Sequence, residues 1–274
     1  MPYDRPEDSL RAGFDAIYGQ HHIFHELKNA TEASNYIDEM LDMSNRLPAG
    51  KTLIGSFMTH DDESLMNHGG ADFCNLISVV QSTIPMCNPY VLDGFQSGDY
   101  YNYGYAHKES DETVTDNHEL EVHPYKMDIF NLSRKPGGDN PEIGKVMTSA
   151  FNMRKEHEDI MTKGDFIELT KSKDKNDQVW AYARHLNGKT VLVVANMNKN
   201  RDSSAVINIP TLKENQQLNN LVDNYGQPSK FQVKPNELRV ELGPSRAHVF
   251  EIDTPDIEKY CDAKQIHKQN FNKQ

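Results

Sequence analysis

Apolar positions in the first 100 residues alternate between short runs and helical spacing. Residues 22–46 place apolar side chains three and four positions apart, which predicts an amphipathic helix or two shorter helices with a break near 31–34. Residues 71–84 predict a second helix, which Pro85 ends. Short apolar runs with the length of buried strands surround these helices, at 13–18, 51–58 and 89–92. The alternation of strands and helices predicts βαβ units and a parallel sheet.

The pattern changes after about residue 160. A helix is predicted from Pro141 to about Asp159, and short runs separated by turns follow it. The Asn187-Gly188 pair is a strong hairpin signal. The predicted strands lie at 166–169, 179–184, 190–196, 205–209, 218–222, 231–233, 238–242 and 247–252. Their regular spacing predicts an antiparallel β-sandwich.

These patterns predict two domains and a tail. Residues 1–160 would be part of a parallel α/β barrel, residues 161–260 an all-β domain, and residues 261–274 a polar, frayed tail. Three strands leave open edges, because a closed (β/α)8 barrel needs eight.

The segment 96–140 interrupts this pattern and is too long for an ordinary connection. Five tyrosines lie between Tyr100 and Tyr125, which favours a binding loop over disorder. The aromatic run 100–105, which includes Tyr101, could stack on sugar rings or pack on itself as a surface loop.

Charge and composition limit the classes of binding partner that the chain can have. Lysine and arginine number 29 and acidic residues 41, so the formal net charge is −12. Such a chain repels nucleic-acid phosphate and anionic lipid, and a neutral sugar is compatible with it. The sequence has no apolar run of the roughly 18 residues that span a bilayer and no signal-peptide pattern at its start. Its three cysteines show neither metal spacing nor a disulfide framework, so the chain as given is expected in the cytoplasm.

Candidate chemistry follows the second predicted strand. The run Thr-His-Asp-Asp-Glu at 59–63 lies where the active-site face of an α/β barrel is found, at the carboxyl end of a strand. Glycoside hydrolysis needs carboxylates around the anomeric carbon. The structural alternative is a capping box, Thr59-x-x-Asp62, at a helix start. His21, His22 and His25 are either a polar rim or, less often, metal ligands. The sequence identifies no cofactor motif.

In their order along the chain, these segments resemble the second half of glycoside hydrolase family 13, the α-amylase family. Residues 12–18 resemble the strand after the family's acid/base glutamate, and Phe-Met-Thr-His-Asp at 57–61 resembles its Phe-x-x-Asn-His-Asp motif on the seventh barrel strand. Residues 84–96 resemble the eighth strand and its Gly-x-Gln turn, and 151–155 the last barrel helix. Residues 164–196 resemble the start of the following β domain.

The resemblance implies roles for particular residues. Asp61 would be the third catalytic carboxylate, the transition-state stabiliser, and His60 would donate hydrogen bonds at the same subsite. Thr59 stands where the family usually has Asn, which changes the contacts at that position. Gln96 and Asp99 would be rim contacts. The sequence does not address calcium, because the family's usual ligands lie largely in the other half.

The family's nucleophile motif, Gly-Phe-Arg-x-Asp, and its acid/base glutamate do not precede residue 12. We therefore expect this chain alone to be inactive, since retaining hydrolysis needs both carboxylates. One hypothesis is a truncated or split hydrolase acting on α-glucans, whose partner is an upstream half-barrel chain or a second copy. The alternative is a non-catalytic glycan-binding or assembly module that uses the tyrosine loop.

Overall fold

The computed structural model describes most of the chain. The described residues are 6–19, 21–59, 62, 64–99, 140–170, 177–222 and 229–268. They form a mixed α/β structure with one parallel and two antiparallel sheets.

The predicted parallel sheet is confirmed. Its strands are β1 (Ala16–Tyr18), β2 (Thr52–Ser56) and β3 (Asn88–Tyr90). They lie in the order β1-β2-β3, with β2 in the centre and both pairings parallel. A short helix, α1 (Pro6–Arg11), precedes β1.

The region between β1 and β2 contains two helices, but the break lies earlier than the predicted 31–34. A 3-10 helix, His21–Glu26, is followed by α2 (Ala30–Arg46). Asn29 caps α2, because its side-chain oxygen accepts a hydrogen bond from the backbone N–H of Glu32 at 2.9 Å. The Asn29 cap starts the second helix, whereas 31–34 lie inside it.

The helix between β2 and β3 also begins earlier than expected. Helix α3 spans Leu65–Thr83 and has Ser64 as its N-cap. Gly70 has φ 66°, a left-handed conformation that kinks the helix just before the predicted start at residue 71. Helix α4 (Pro141–Glu156) packs against α3, and α5 (Glu158–Lys163) continues beyond the predicted end near 159.

The second half consists of antiparallel strands, as predicted. The strands are β4 (Asp165–Glu168), β5 (Val179–Leu186), β6 (Lys189–Asn196), β7 (Ser203–Asn208), β8 (Asn219–Asn220), β9 (Lys230–Lys234), β10 (Glu237–Leu242), β11 (Ala247–Ile252) and β12 (Ile266–His267). A six-stranded sheet has the order β12-β4-β5-β6-β11-β8, and a three-stranded sheet has the order β7-β10-β9. Asn187 and Gly188 form the two-residue turn between β5 and β6, both with positive φ.

The prediction of a frayed tail at 261–274 is wrong for residues 266 and 267. Ile266 and His267 pair with β4 as an edge strand of the six-stranded sheet. A ring nitrogen of His267 also lies 3.2 Å from the Asp38 carboxylate on α2. The polar composition of the tail did not predict this strand, because the strand is held in place by contacts with residues that are far away in the sequence.

Two hydrophobic cores lie on opposite faces of the six-stranded sheet. Alternate residues of β5 divide between them: Trp180 and Tyr182 pack with α2 and α3, whereas Ala181 and Ala183 pack with the three-stranded sheet. The first core therefore crosses residue 160, and the two-domain division at that point stays a prediction. Among the described helices, none has the length and apolarity needed to cross a bilayer.

Candidate functional site

The carboxyl ends of the three parallel strands meet at one edge of the sheet. Tyr18 ends β1, Tyr90 ends β3, and Phe57 to Thr59 continue from β2. Parallel pairing places the loops that follow these strands on the same side of the molecule. In α/β folds this edge is where ligands bind.

A closed turn follows β2. The backbone N–H and the hydroxyl of Thr59 donate hydrogen bonds to Asp62 Oδ2 at 2.9 and 2.6 Å, and the Asp62 N–H donates to the Thr59 carbonyl at 3.2 Å. The capping-box alternative is wrong as a helix start, because α3 begins at Leu65 and is capped by Ser64. The Thr59–Asp62 pair instead closes the turn whose sequence contains the candidate catalytic carboxylate.

Three predicted site residues lie outside the described part of the chain: Asp61, His60 and Tyr101. The aromatic run 100–105 and most of the segment 96–140 lie outside it as well. Their assigned roles stay predictions.

The loops after β2 and β3 are joined by Ser64 and Asp99. The Ser64 hydroxyl donates a hydrogen bond to the Asp99 backbone carbonyl and accepts one from the Met66 N–H at 3.2 Å. The Asp99 N–H donates to the Gly94 carbonyl at 2.9 Å. Asp99 is 3% exposed, so its position favours support of the loop over an open rim contact. The structure thus brings the predicted residues Thr59 and Asp99 onto adjoining loops.

Gln96 lies in the turn after β3. Its amide Nε2 donates to Asp93 Oδ1 at 3.0 Å, and its Oε1 accepts from the Gly94 N–H at 3.1 Å. The side chain is half-buried, and both ends are engaged within this turn. A ligand contact by Gln96 stays a prediction and would require these local bonds to exchange.

An aromatic pair that was not predicted lies at the same edge. The rings of Tyr18 and Tyr90 approach edge to face, with 5.9 Å between centroids and 72° between planes. The only sequence signal for this pair is that each tyrosine lies in a predicted strand, Tyr18 in 13–18 and Tyr90 in 89–92. Their contact across β2 depends on strand register, which the sequence does not reveal.

The rings of His21 and His25, two of the three histidines near the start of the chain, pack against different neighbours. His21 is fully buried against Phe57, with 5.4 Å between ring centroids, and burial lowers its pKa to about 4. His25 stacks on His68 at 4.0 Å. Within the described residues, no three histidine, cysteine or acidic side chains are grouped as metal ligands.

The described fold matches solved amylase structures. An Anoxybacillus α-amylase aligns with 92% of this chain at TM-score 0.63 and 12% identity, and this match covers 50% of that enzyme. The maltogenic α-amylase AmyB from Thermotoga neapolitana aligns with 91% at TM-score 0.61 and 14% identity, with 53% of that chain covered. The chain has the fold of part of an α-amylase.

Another match supports the same fold. A trehalose-6-phosphate hydrolase from Bacillus licheniformis aligns with 91% of this chain at TM-score 0.58 and 15% identity, with 53% of that chain covered. The amylase-like chain spans about half the length of the solved structures it matches. No protein-family model and no curated protein sequence matches it.

Proposed function

We propose that this chain is part of an α-amylase-type glycoside hydrolase that acts on α-glucans. The observation that carries the proposal is the loop junction at the carboxyl edge of the parallel sheet, where Ser64 bonds to Asp99. This junction joins the loop that contains the Thr59–Asp62 turn to the loop after β3. The amylase-like fold supports the same reaction class.

In this proposal Asp61 binds sugar hydroxyls and stabilises the oxocarbenium-like transition state, with His60 as a hydrogen-bond donor at the same subsite. Thr59 and Asp62 keep the turn closed through their two hydrogen bonds. Gln96 and Tyr101 would complete the binding surface, and the buried Asp99 would support the loop beneath it.

We infer further that the chain is inactive by itself. Retaining hydrolysis requires a nucleophile and an acid/base carboxylate about 5 Å apart. The sequence contains neither of the family motifs that hold them. Within the described residues, β1 and β3 are the two edge strands of the parallel sheet. Their open edges suit additional parallel strands, from an upstream half-barrel or a second copy, that would complete a (β/α)8 barrel.

A non-catalytic glycan-binding module is the second candidate. The exposed aromatic rings at the strand ends favour it, because aromatic faces hold sugars without any catalytic carboxylate. The two candidates differ in whether a complete barrel restores hydrolysis.

Reducing-sugar release from soluble starch and maltooligosaccharides tests the proposal. The purified chain should release none. Co-expression with a polypeptide that carries the family's nucleophile and acid/base motifs should restore release, and Asp61→Asn should abolish it. Restored release that persists in Asp61→Asn would refute the role of Asp61. A complete barrel without release, but with maltooligosaccharide binding, would favour the binding module.

A further inference from the structure

We propose that Lys199, which lies between β6 and β7, is a positioning residue for the sugar subsite. It acts through the 3-10 helix His21–Glu26, whose side chains pack on the loop that follows β2. This inference rests on the proposed function, because it concerns the support of the same carbohydrate site. It gives the antiparallel half of the chain a part in sugar binding without any contact with the sugar.

The Lys199 ammonium is bonded to the 3-10 helix. Its Nζ donates a hydrogen bond to the His25 backbone carbonyl at 2.7 Å. A second bond holds the segment that follows this helix: the N–H of Ala30, the first residue of α2, donates to the Asp177 carbonyl at 2.8 Å. Asp177 precedes β5, so both partners belong to the antiparallel half. The position of the 3-10 helix therefore depends on that half at two points.

The 3-10 helix in turn holds the residue that follows β2. The ring of Phe57 lies 5.6 Å from the Phe24 ring and 5.4 Å from the His21 ring, measured between centroids. Phe24 and His21 are fully buried, and Phe57 is 3% exposed. Rings packed this closely in an interior transmit a displacement to their neighbours. A shift of the 3-10 helix should therefore move Phe57.

The six-stranded sheet supports the same contact from behind. Phe24 lies 6.1 Å from the ring of Trp180 on β5, so Phe24 packs between Trp180 and Phe57. Trp180 is fully buried and is the only tryptophan of the chain. Phe57 is two residues before Thr59, whose bonds to Asp62 close the turn of the proposed subsite. The antiparallel half thus reaches this turn through two layers of packed side chains.

Lys199 also contacts the helix that follows the turn. Its ammonium lies 4.3 Å from the centroid of the Phe73 ring on α3, a cation–π distance. Its stem passes close to the start of the same helix, because a Cβ at Gly69 would lie 3.3 Å from Lys199 Cδ. The side chain is half-buried. Lys199 therefore joins the segments after β1 and β2 to each other and to the antiparallel half.

The placement of the turn should matter for affinity. A displacement of about 1 Å can reduce catalysis about a hundredfold when it misaligns a site, and binding alone should lose less. The competing explanation is that Lys199 only adds to the stability of the fold. In that case its removal would lower the free energy of unfolding and leave the sugar affinity of the folded chain unchanged.

Titration calorimetry with maltoheptaose tests the positioning role. Lys199→Met keeps the apolar stem and removes the donor, and it should weaken binding about threefold to tenfold. Lys199→Arg retains a cationic donor and should stay within about twofold of the original affinity. Lys213→Met is the matched control, because Lys213 belongs to the same half, is 76% exposed and should leave affinity unchanged. Emission of the buried Trp180 verifies that each variant is folded.

The outcomes separate the positioning role from the proposed function. Binding by the original chain with unaltered affinity in Lys199→Met would overturn the positioning role alone, as would equal weakening by Lys199→Met and Lys199→Arg. Absence of binding by the original chain would overturn both. If Lys199→Met does not fold, hydrogen exchange of the original chain decides the question. Saturating maltoheptaose should slow exchange of the Ala30 N–H, and an unchanged rate contradicts the positioning role.

Discussion

Arg184 of β5 donates a hydrogen bond from Nη1 to the carbonyl of Thr83, the last residue of α3, at 2.9 Å. Its Nη2 donates to the Gly164 carbonyl at 2.8 Å, and the side chain is fully buried. Burial lowers the pKa of Arg184 to about 9, so the group remains a cation at neutral pH. Arg184 thus joins α3 to the six-stranded sheet. Its two acceptors are carbonyls at the carboxyl ends of α3 and α5, where the helix dipole favours positive charge.

Arg184→Met should destabilise the chain. The change leaves two buried carbonyls without their donor, and each unsatisfied buried group costs about 1–3 kcal/mol. We expect a loss of at least about 2 kcal/mol in the free energy of unfolding, measured by urea denaturation. Arg239→Met is the control, because Arg239 is exposed and should change stability by less than about 0.5 kcal/mol. Equal effects of the two variants would refute the role of Arg184.

Gly55 and Cys87 are a close pair whose substitutions should compensate. A Cβ at position 55 would lie 2.0 Å from Cys87 Sγ, so Gly55→Ala should separate β2 from β3 and cost about 1–3 kcal/mol. Removing the sulfur in Gly55→Ala/Cys87→Ala should recover part of that cost. Urea denaturation of the two single variants and the double variant gives the coupling energy. Strict additivity would contradict the packing described for this pair.

His21 should make stability depend on pH below neutrality. Burial lowers its pKa from 6.5 to about 4, so the unfolded chain binds a proton that the folded chain rejects between these values. Stability from this group is complete above pH 6.5 and falls as the pH drops towards 4. His21→Leu should reduce the loss of unfolding free energy between pH 7 and 5 by about 1.5–2 kcal/mol.

Urea denaturation at the two pH values measures this difference, whatever the variant's stability at pH 7. His248 is a second histidine whose pKa burial lowers to about 4. It should add to the same pH dependence in the original chain and in His21→Leu alike, so the difference between the two chains reports on His21. An unchanged pH dependence in His21→Leu would show that His21 is accessible to protons in the folded chain.

The cysteines should differ in reactivity. Cys74 and Cys87 are buried, and burial raises the pKa of each to about 12, which suppresses the reactive thiolate. Cys261 is partly exposed. A thiol reagent should therefore modify Cys261 first in the folded chain and all three thiols in denaturant. Cys261→Ser should remove the early reaction, and rapid labelling of Cys74 or Cys87 would contradict their burial.

The sequence predicted elements whose signals are local. Apolar runs predicted β1, β2 and β3, and Asn187-Gly188 predicted its hairpin, because turn chemistry and periodicity act over a few residues. Features that depend on distant contacts were missed. Ile266 and His267 form a strand only because β4 offers them an edge.

In the candidate site, too, the local features could be predicted and those that depend on distant contacts could not. The position of Thr59 after a buried strand followed from the pattern, because Thr59 is close to β2 in sequence. The Ser64–Asp99 bond joins residues 35 positions apart, and the Tyr18–Tyr90 contact crosses a strand. Neither could be predicted without the order and register of the sheet. The sequence offered Thr59 as the helix cap, but Ser64 caps α3, because the helix begins at Leu65.

Binding of maltoheptaose to the purified chain and to Asp61→Asn tests the central claim most directly. If the chain contributes a sugar subsite of an α-amylase-type enzyme, the original chain should bind maltoheptaose without cleaving it. Asp61→Asn should bind at least about tenfold more weakly, equivalent to about 1.4 kcal/mol. Chromatography of the sugar after the titration verifies that it is intact. Equal affinity of the two chains, or no binding by either, would contradict the claim.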